Sequence, residues 1–165
     1  MRIHRVVGIM VAMATLLAGT SQAQQLYQTS GDWRVFTYGD GSARQCYVAS
    51  VPVKKTGNYS ARGEPFVMVT HRDEKGDEVS VSSGYPYKAG SQTSLTIDSR
   101  RYDLFVQNDR AWAYDAAQDK NLVEAMMKGS QMIVKGASQK GTYSSDTYSL
   151  AGFTAAVRKM KTLCH

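Results

Sequence analysis

The chain contains two cysteines, Cys46 and Cys164, separated by 118 positions, and no other thiol. What such a pair does depends on the compartment, and the first twenty-three residues set that expectation. Arg2, His4 and Arg5 precede an apolar run over residues 6–19, and Ser21-Gln22-Ala23 supplies the small residues that a signal peptidase reads. The run is fourteen residues, short of a membrane span, and no second long apolar segment follows. Thr20 stands where a lipoprotein signal would carry its acylated cysteine, so neither a membrane span nor a lipid anchor is expected. The expectation is cleavage after Ala23 and one domain over residues 24–165, placed in the periplasm, at the outer envelope or secreted. In an oxidising compartment an isolated pair of cysteines is most simply a structural disulfide. Closing so long a loop is worth about 4–5 kcal/mol in a chain-entropy treatment. A redox role would call for a CxxC motif or a low-pKa thiol, and neither cysteine has that local signature.

The rest of the sequence alternates short apolar runs with turn chemistry. Trp33, Val35 and Thr37 interleave with Arg34, Phe36 and Tyr38 before Gly39-Asp40-Gly41-Ser42. Residues 44–51 read as a strand holding Cys46, and residues 65–71 are apolar on both faces, as in a central strand. Val79 and Val81, then Leu95 and Ile97, alternate with polar residues, and Asp98-Ser99-Arg100 turns into a strand over residues 102–106. Asn108-Asp109 leads to residues 111–114, and the last runs are 132–134 and 142–150. Nine short strands at this spacing predict a mainly β, antiparallel sandwich-like single domain. Two helices complete the reading. Phe153, Ala156, Val157, Met160 and Cys164 form an amphipathic stripe with Arg158, Lys159 and Lys161 away from it. A short internal helix is expected with Asp119 as N-cap, Leu122, Ala125 and Met126 inward, and Gly129 as a left-handed C′ residue. Residues 54–64 read as the long loop.

Charge and motifs exclude more than they select. Loss of Arg2 and Arg5 with the signal leaves eighteen cations against fourteen acids, a net charge of +4. Lys54-Lys55, Arg100-Arg101 and Arg158-Lys159-Lys161 form no run of five and have no interleaved aromatics, so nucleic-acid binding is not expected. Weak attraction to anionic envelope surfaces remains. After signal removal only His71 and His165 supply imidazoles, and no GxSxG elbow accompanies them. His71 is therefore read as a sheet-edge histidine paired with a turn carboxylate, the rival being a hydrolase site around it. Asp73 with Asp77, and Asp115 with Asp119, read as turn chemistry ahead of acid and base pairs. No zinc, calcium or phosphate-loop spacing is present, and Met126, Met132 and Met160 fit apolar faces. No cofactor, metal or catalytic residue is expected. Asn58-Tyr59-Ser60 matches a glycosylation acceptor, given little weight beside a bacterial-looking signal. Tyr85, Pro86, Tyr87 and Lys88 have the composition of a contact site, behind the reading of a sandwich edge where tyrosines cover the core.

Several segments resemble the invasion-associated locus B family of exported alphaproteobacterial proteins. They are Gly31-Asp32-Trp33, Cys46-Tyr47-Val48-Ala49-Ser50, Gly84-Tyr85-Pro86-Tyr87-Lys88, Ala111-Trp112-Ala113, Ala125-Met126-Met127-Lys128-Gly129 and the run over residues 146–156. The resemblance spans residues 31–164 and implies a small β-sandwich-like domain with paired N- and C-terminal cysteines, in the periplasm or at the outer envelope. It brings no catalytic residue. In some pathogens the family is linked to invasion of red blood cells, a role that need not carry over to free-living bacteria. The expected function is an exported, non-catalytic binding protein of the envelope or surface, support of host interaction or invasion included. Its partner is a protein, a glycan or an envelope component, and its oligomeric state is not legible. The alternatives are the periplasmic hydrolase near His71 and a periplasmic stress or chaperone-like factor.

Overall fold

The computed structural model describes residues 24–164; residues 1–23, on which the expected export signal falls, and His165 lie outside them. Eleven strands run in one continuous antiparallel ladder. In chain order they are β1 (Gln25–Ser30), β2 (Trp33–Tyr38), β3 (Gln45–Ser50), β4 (Lys54–Gly57), β5 (Phe66–His71), β6 (Asp77–Ser82), β7 (Gln92–Ile97), β8 (Arg100–Gln107), β9 (Arg110–Trp112), β10 (Gln131–Ala137) and β11 (Tyr143–Ser149). Their order in the sheet is β1-β2-β3-β5-β6-β9-β8-β7-β10-β11-β4. Two-residue turns at Asp98-Ser99 and Asn108-Asp109 join β7 to β8 and β8 to β9, with Asp98 and Asn108 at φ of 50° and 55°. Asp and Asn tolerate that left-handed geometry, and such turns match the twist of the strands they join.

The sheet curls until its ends meet over one core. Trp33 of β2 donates its indole N–H to the Ser149 carbonyl of β11 at 3.0 Å, and Asp32 N–H reaches the Ala151 carbonyl at 3.1 Å. Gly31 and Gly152, both at positive φ, make that closure possible, because a Cβ on Gly31 would collide with the Ala151 carbonyl oxygen. Helix α2 (Phe153–Leu163) lies across β2 and β3 with Phe153, Ala156, Val157 and Met160 buried, the stripe that the sequence periodicity predicts. Phe153 meets Trp33 edge to face with centroids 4.6 Å apart, an arrangement that suits the ring quadrupoles. One residue past the helix, Cys164 is bonded to Cys46 of β3, with Cα atoms 5.9 Å apart.

Three local expectations are corrected. The internal helix α1 covers Ala116–Lys128, four residues earlier than its expected start, because Asp115 is the N-cap and accepts from Gln118 N–H at 2.7 Å. Asp119 instead accepts the Val79 N–H of β6 at 2.8 Å. Gly129 is extended, at φ −82°, and is glycine for space: a Cβ would lie 2.6 Å from Ile97 Cγ2. Residues 54–57 form β4, an edge strand on β11, in place of the expected loop; all four are exposed and so carry no apolar alternation. The nine expected strands match the interior of the sheet, and the two additional ones, β1 and β4, are its edges.

The core also contains charge. Arg62 and Asp146 have side chains 3% and 0% exposed and form a bidentate ion pair, Arg62 Nη1 lying 2.7 Å from Asp146 Oδ2 and Nη2 bonding Oδ1. Arg62 donates further to the Ser83 carbonyl and the Tyr59 hydroxyl, with the Tyr59 ring 4.2 Å below the guanidinium. Around this pair Tyr85 shares a 2.7 Å hydrogen bond with Ser144, and Tyr87 one of 2.7 Å with Ser83. Hydrogen bonding to Asp146 holds the Arg62 guanidinium protonated well beyond its ordinary range. Burial raises the phenols of Tyr85 and Tyr148 and pushes Tyr87 up to about 12.

Three outcomes follow from this packing. Cys164→Ser should lower the unfolding free energy by about 2–5 kcal/mol, read as a shifted urea midpoint, and reductant should produce the same loss in the parent chain. Arg62→Ala should cost about 3–5 kcal/mol, because Asp146 would remain buried without its counterion. For the tyrosines, the folded phenols have pKa values above the unfolded value of about 10. Their contribution is therefore whole below pH ~10 and is lost as pH rises through the raised folded values. Absorbance at alkaline pH should show Tyr87 ionising near 12 or with unfolding; ionisation at the unfolded value in the folded protein would contradict its burial.

Candidate functional site: a groove on the outer sheet face

Because side chains alternate along each strand, the residues that do not face the core form a second surface. On most half-exposed sheets that surface is polar. Here, across β2, β3, β5, β6, β9 and β8, it is aromatic. One cross-strand row aligns Arg34, Ala49, Met68, Ser80, Trp112 and Phe105, each a register partner of the next. Beside it Phe36 stacks on Tyr47 with centroids 5.1 Å apart, and Phe105 stacks on Trp112 at 5.7 Å. Arg110 of β9 reaches back over the Phe66 ring of β5 at 4.5 Å and donates to Ser80 Oγ at 3.4 Å. These large side chains keep Ser80 and Ser82 buried although both stand on the outer face.

Between them lies a groove of about 510 Å³. Its floor is Phe36, Tyr47, Ala49, Phe66 and Met68, its lip is the segment Val51-Pro52-Val53, and its cations are Arg34 and Arg110. Val51 and Val53 are 42% and 61% exposed. Among the described residues neither arginine has an acidic partner, whereas Arg62, Arg72 and Arg101 each do. A larger cavity of about 920 Å³ adjoins it across Phe66. That cavity is walled by turn residues such as Gly63, Gly84, Asn108 and Gln139, and its charged lining residues, Glu64 and Asp109, are both acidic. The smaller groove combines an apolar floor with two arginines against one acidic lining residue, Asp32, and is the stronger candidate.

The residues singled out from sequence have other places. Of the candidate contact residues, Tyr85 and Tyr87 are buried, pack edge to face at 5.5 Å and direct their hydroxyls into the core network, and with Pro86 they line the cavity of about 920 Å³. Pro86 and Lys88 alone of the four are exposed. His71 Nδ1 lies 2.9 Å from Asp77 Oδ1, and Lys161 of α2 holds Asp77 Oδ2 at 2.7 Å, so the histidine belongs to an ion cluster that ties the β5–β6 turn to the terminal helix. Arg44, Gln45, Arg72, Asp73, Lys75 and Cys164 line the shallow cavity beside it, without a serine or threonine to serve as nucleophile. Asp115 caps α1, and Asp119, its carboxyl raised by burial and restrained by the Val79 N–H, braces β6. Asn58 accepts the Tyr143 N–H at 2.7 Å, fixing the loop after β4. Met126, Met132 and Met160 are buried in the core. No helix among the described residues is long and apolar enough to cross a membrane.

Nothing in the sequence reading singles out the groove residues, although one signal is present. Phe66, Met68 and their neighbours make β5 apolar on both faces, which fits a strand buried by a layer on each side. Among the described residues no second layer of structure covers the outer face of β5, where Arg110 alone reaches over Phe66.

The family profile of the invasion associated locus B (IalB) protein matches residues 33–161. The crystal structure of invasion associated protein b from Bartonella henselae superposes with a TM-score of 0.60 at 16% sequence identity, covering 84% of this chain and 98% of that one, and shares the fold. No curated protein matches the chain in sequence. With its profile match running from Trp33 at the start of β2 to Lys161 in α2, the chain belongs to the invasion-associated locus B family.

Proposed function

We propose that this protein is an exported binding protein, working in the periplasm or at the outer envelope after cleavage behind Ala23, and that it acts by recognition and not by catalysis. The observation that carries the reading is the outer-face groove. Aromatic residues and arginine are the side chains that binding surfaces enrich, and here they stand half-exposed around a groove on the interior strands of a sheet whose other face is filled. Family membership and the Cys46–Cys164 bond support placement outside the cytoplasm. The Bartonella henselae protein that shares the fold is described as invasion associated; for this chain the proposal extends to contact with its own envelope or a host surface.

The test is sedimentation of the labelled mature chain with envelope particles of the producing bacterium and with host-cell membranes. Wild type should sediment with at least one of them. Phe36→Ala/Met68→Ala, which truncates two large floor side chains at half-exposed positions, should reduce the bound fraction at least tenfold while the domain stays folded. Equal sedimentation of the two proteins, or wild type remaining free in both mixtures, would contradict the proposal.

A further inference from the structure

The chemistry of the groove narrows its ligand, an inference that rests on the recognition reading above. The floor is built from β2, β3 and β5, each of which is paired on both sides in the ladder. Their N–H and C=O groups are therefore spent, and the floor offers side chains with no backbone partner. An extended peptide lying there would bury its own amides unpaired, which is costly, and a glycan would meet the same difficulty with its hydroxyls. A hydrocarbon chain has no polar group to satisfy. Val51 and Val53, standing largely in water at the mouth, extend the same apolar track outward.

The charges lie at the ends of this track. Arg34 on β2 and Met68 on β5 are joined through Ala49, so they stand two strand spacings apart, about 10 Å. Arg110 comes from β9 beyond β6 and is held in place by the Phe66 ring and Ser80. A guanidinium fixed in this way is pre-organised for an oxyanion, to which it presents two parallel donors. Arg34 and Arg110 have no acidic partner among the described residues, so an incoming anion displaces no carboxylate, and Asp32 is the one acid that lines the groove. A volume of about 510 Å³ is within the range of small-ligand sites.

We infer that the groove binds a phosphate-headed lipid of the envelope, its acyl chain on Ala49, Met68 and the rings of Phe36, Tyr47 and Phe66, its phosphate on Arg110, with Arg34 adding positive charge from the other end of the floor. The ligand is thus an amphipathic anion, and neither half of it suffices alone.

The test titrates the oxidised mature chain by calorimetry with octyl phosphate below its micelle concentration, and in parallel with octyl glucoside and inorganic phosphate. Octyl phosphate should bind one to one, at least tenfold more tightly than either comparison compound. Arg34→Gln/Arg110→Gln should weaken octyl phosphate about tenfold or more, the loss expected for charged hydrogen bonds, and should leave octyl glucoside unchanged. Arg110→Gln alone repeats the test if the double variant melts early. Vesicles of phosphatidylglycerol should retain wild type and release the double variant, and phosphatidylcholine vesicles should retain neither. Equal affinity for the neutral and anionic octyl compounds, or an arginine variant that binds like wild type, overturns the lipid assignment. If wild type nevertheless sediments with envelope particles, the recognition reading survives that result; if it binds neither, both fall.

Discussion

The seating of the terminal helix on the inner face of the curled sheet decides what the other face is free to do. α2 brings Phe153 against Trp33, fills the space above β2 and β3 with Ala156, Val157 and Met160, and is held past its last turn by the Cys46–Cys164 bond. Trp33 in turn donates to Ser149 of β11, near the far end of the ladder order, so the helix, the first interior strand and the last long strand share one contact point. A sheet of eleven strands would otherwise splay. Lys161 adds an ionic tie from α2 to Asp77, which also holds His71, so the basic side of the helix is used as well as its apolar side. The inner face is thereby filled by the helix, and among the described residues the aromatic surface on the outside has no comparable cover.

Polarity in this domain is partly exchanged between inside and outside. Arg62, Asp146, Ser83, Ser144 and the hydroxyls of Tyr85 and Tyr87 lie within the core, while Phe36, Tyr47, Phe66, Phe105 and Trp112 face out. A buried ion pair is weak evidence for stability, since desolvation offsets much of its Coulombic gain. Its effect here is positional. Arg62 fastens the loop after β4 to β11 through Asp146 and to the Ser83 carbonyl, and so fixes how β4 and the segment leading into β5 leave the edge of the sheet. Phe66 begins β5 only four residues after Arg62, and it is the ring on which Arg110 rests. The internal network thus sets the position of one wall of the external groove.

How far the sequence foretells this fold follows from what each residue pattern encodes. Interior strands are visible either as alternation of apolar and polar side chains, as over residues 33–38, 79–81 and 95–97, or as short apolar and β-prone runs bounded by turn residues, as over residues 44–51 and 65–71. β1 and β4 are held by a single ladder each and bury little, so Gln25–Ser30 and Lys54–Gly57 carry no such alternation. Helix α2 is legible from its stripe, whereas the start of α1 is displaced because Asp115 and Asp119 are both competent caps by composition, and only the Val79 N–H decides which is drawn into the sheet. The tyrosines of residues 85–87 and the rings of Phe36 and Phe66 show the remaining difficulty. A tyrosine and a phenylalanine have nearly the same apolar body, and whether each is inside or outside depends on strand parity and on partners such as Ser144, which lies 59 residues from Tyr85. The disulfide follows from cysteine count and expected compartment; the groove needs strands from distant parts of the chain to be placed side by side.

The central claim is that recognition takes place on the outer face while the tyrosine-lined core stays closed. It is tested most directly by amide and side-chain chemical shifts of the isotope-labelled, oxidised mature chain as envelope extract is added. The account expects perturbations grouped on Arg34, Phe36, Tyr47, Phe66, Met68 and Arg110, with Tyr85, Tyr87 and the α2 stripe unmoved. Perturbations centred on the residue 85–88 turn or on the His71 cluster, with the outer-face residues unchanged, would contradict it.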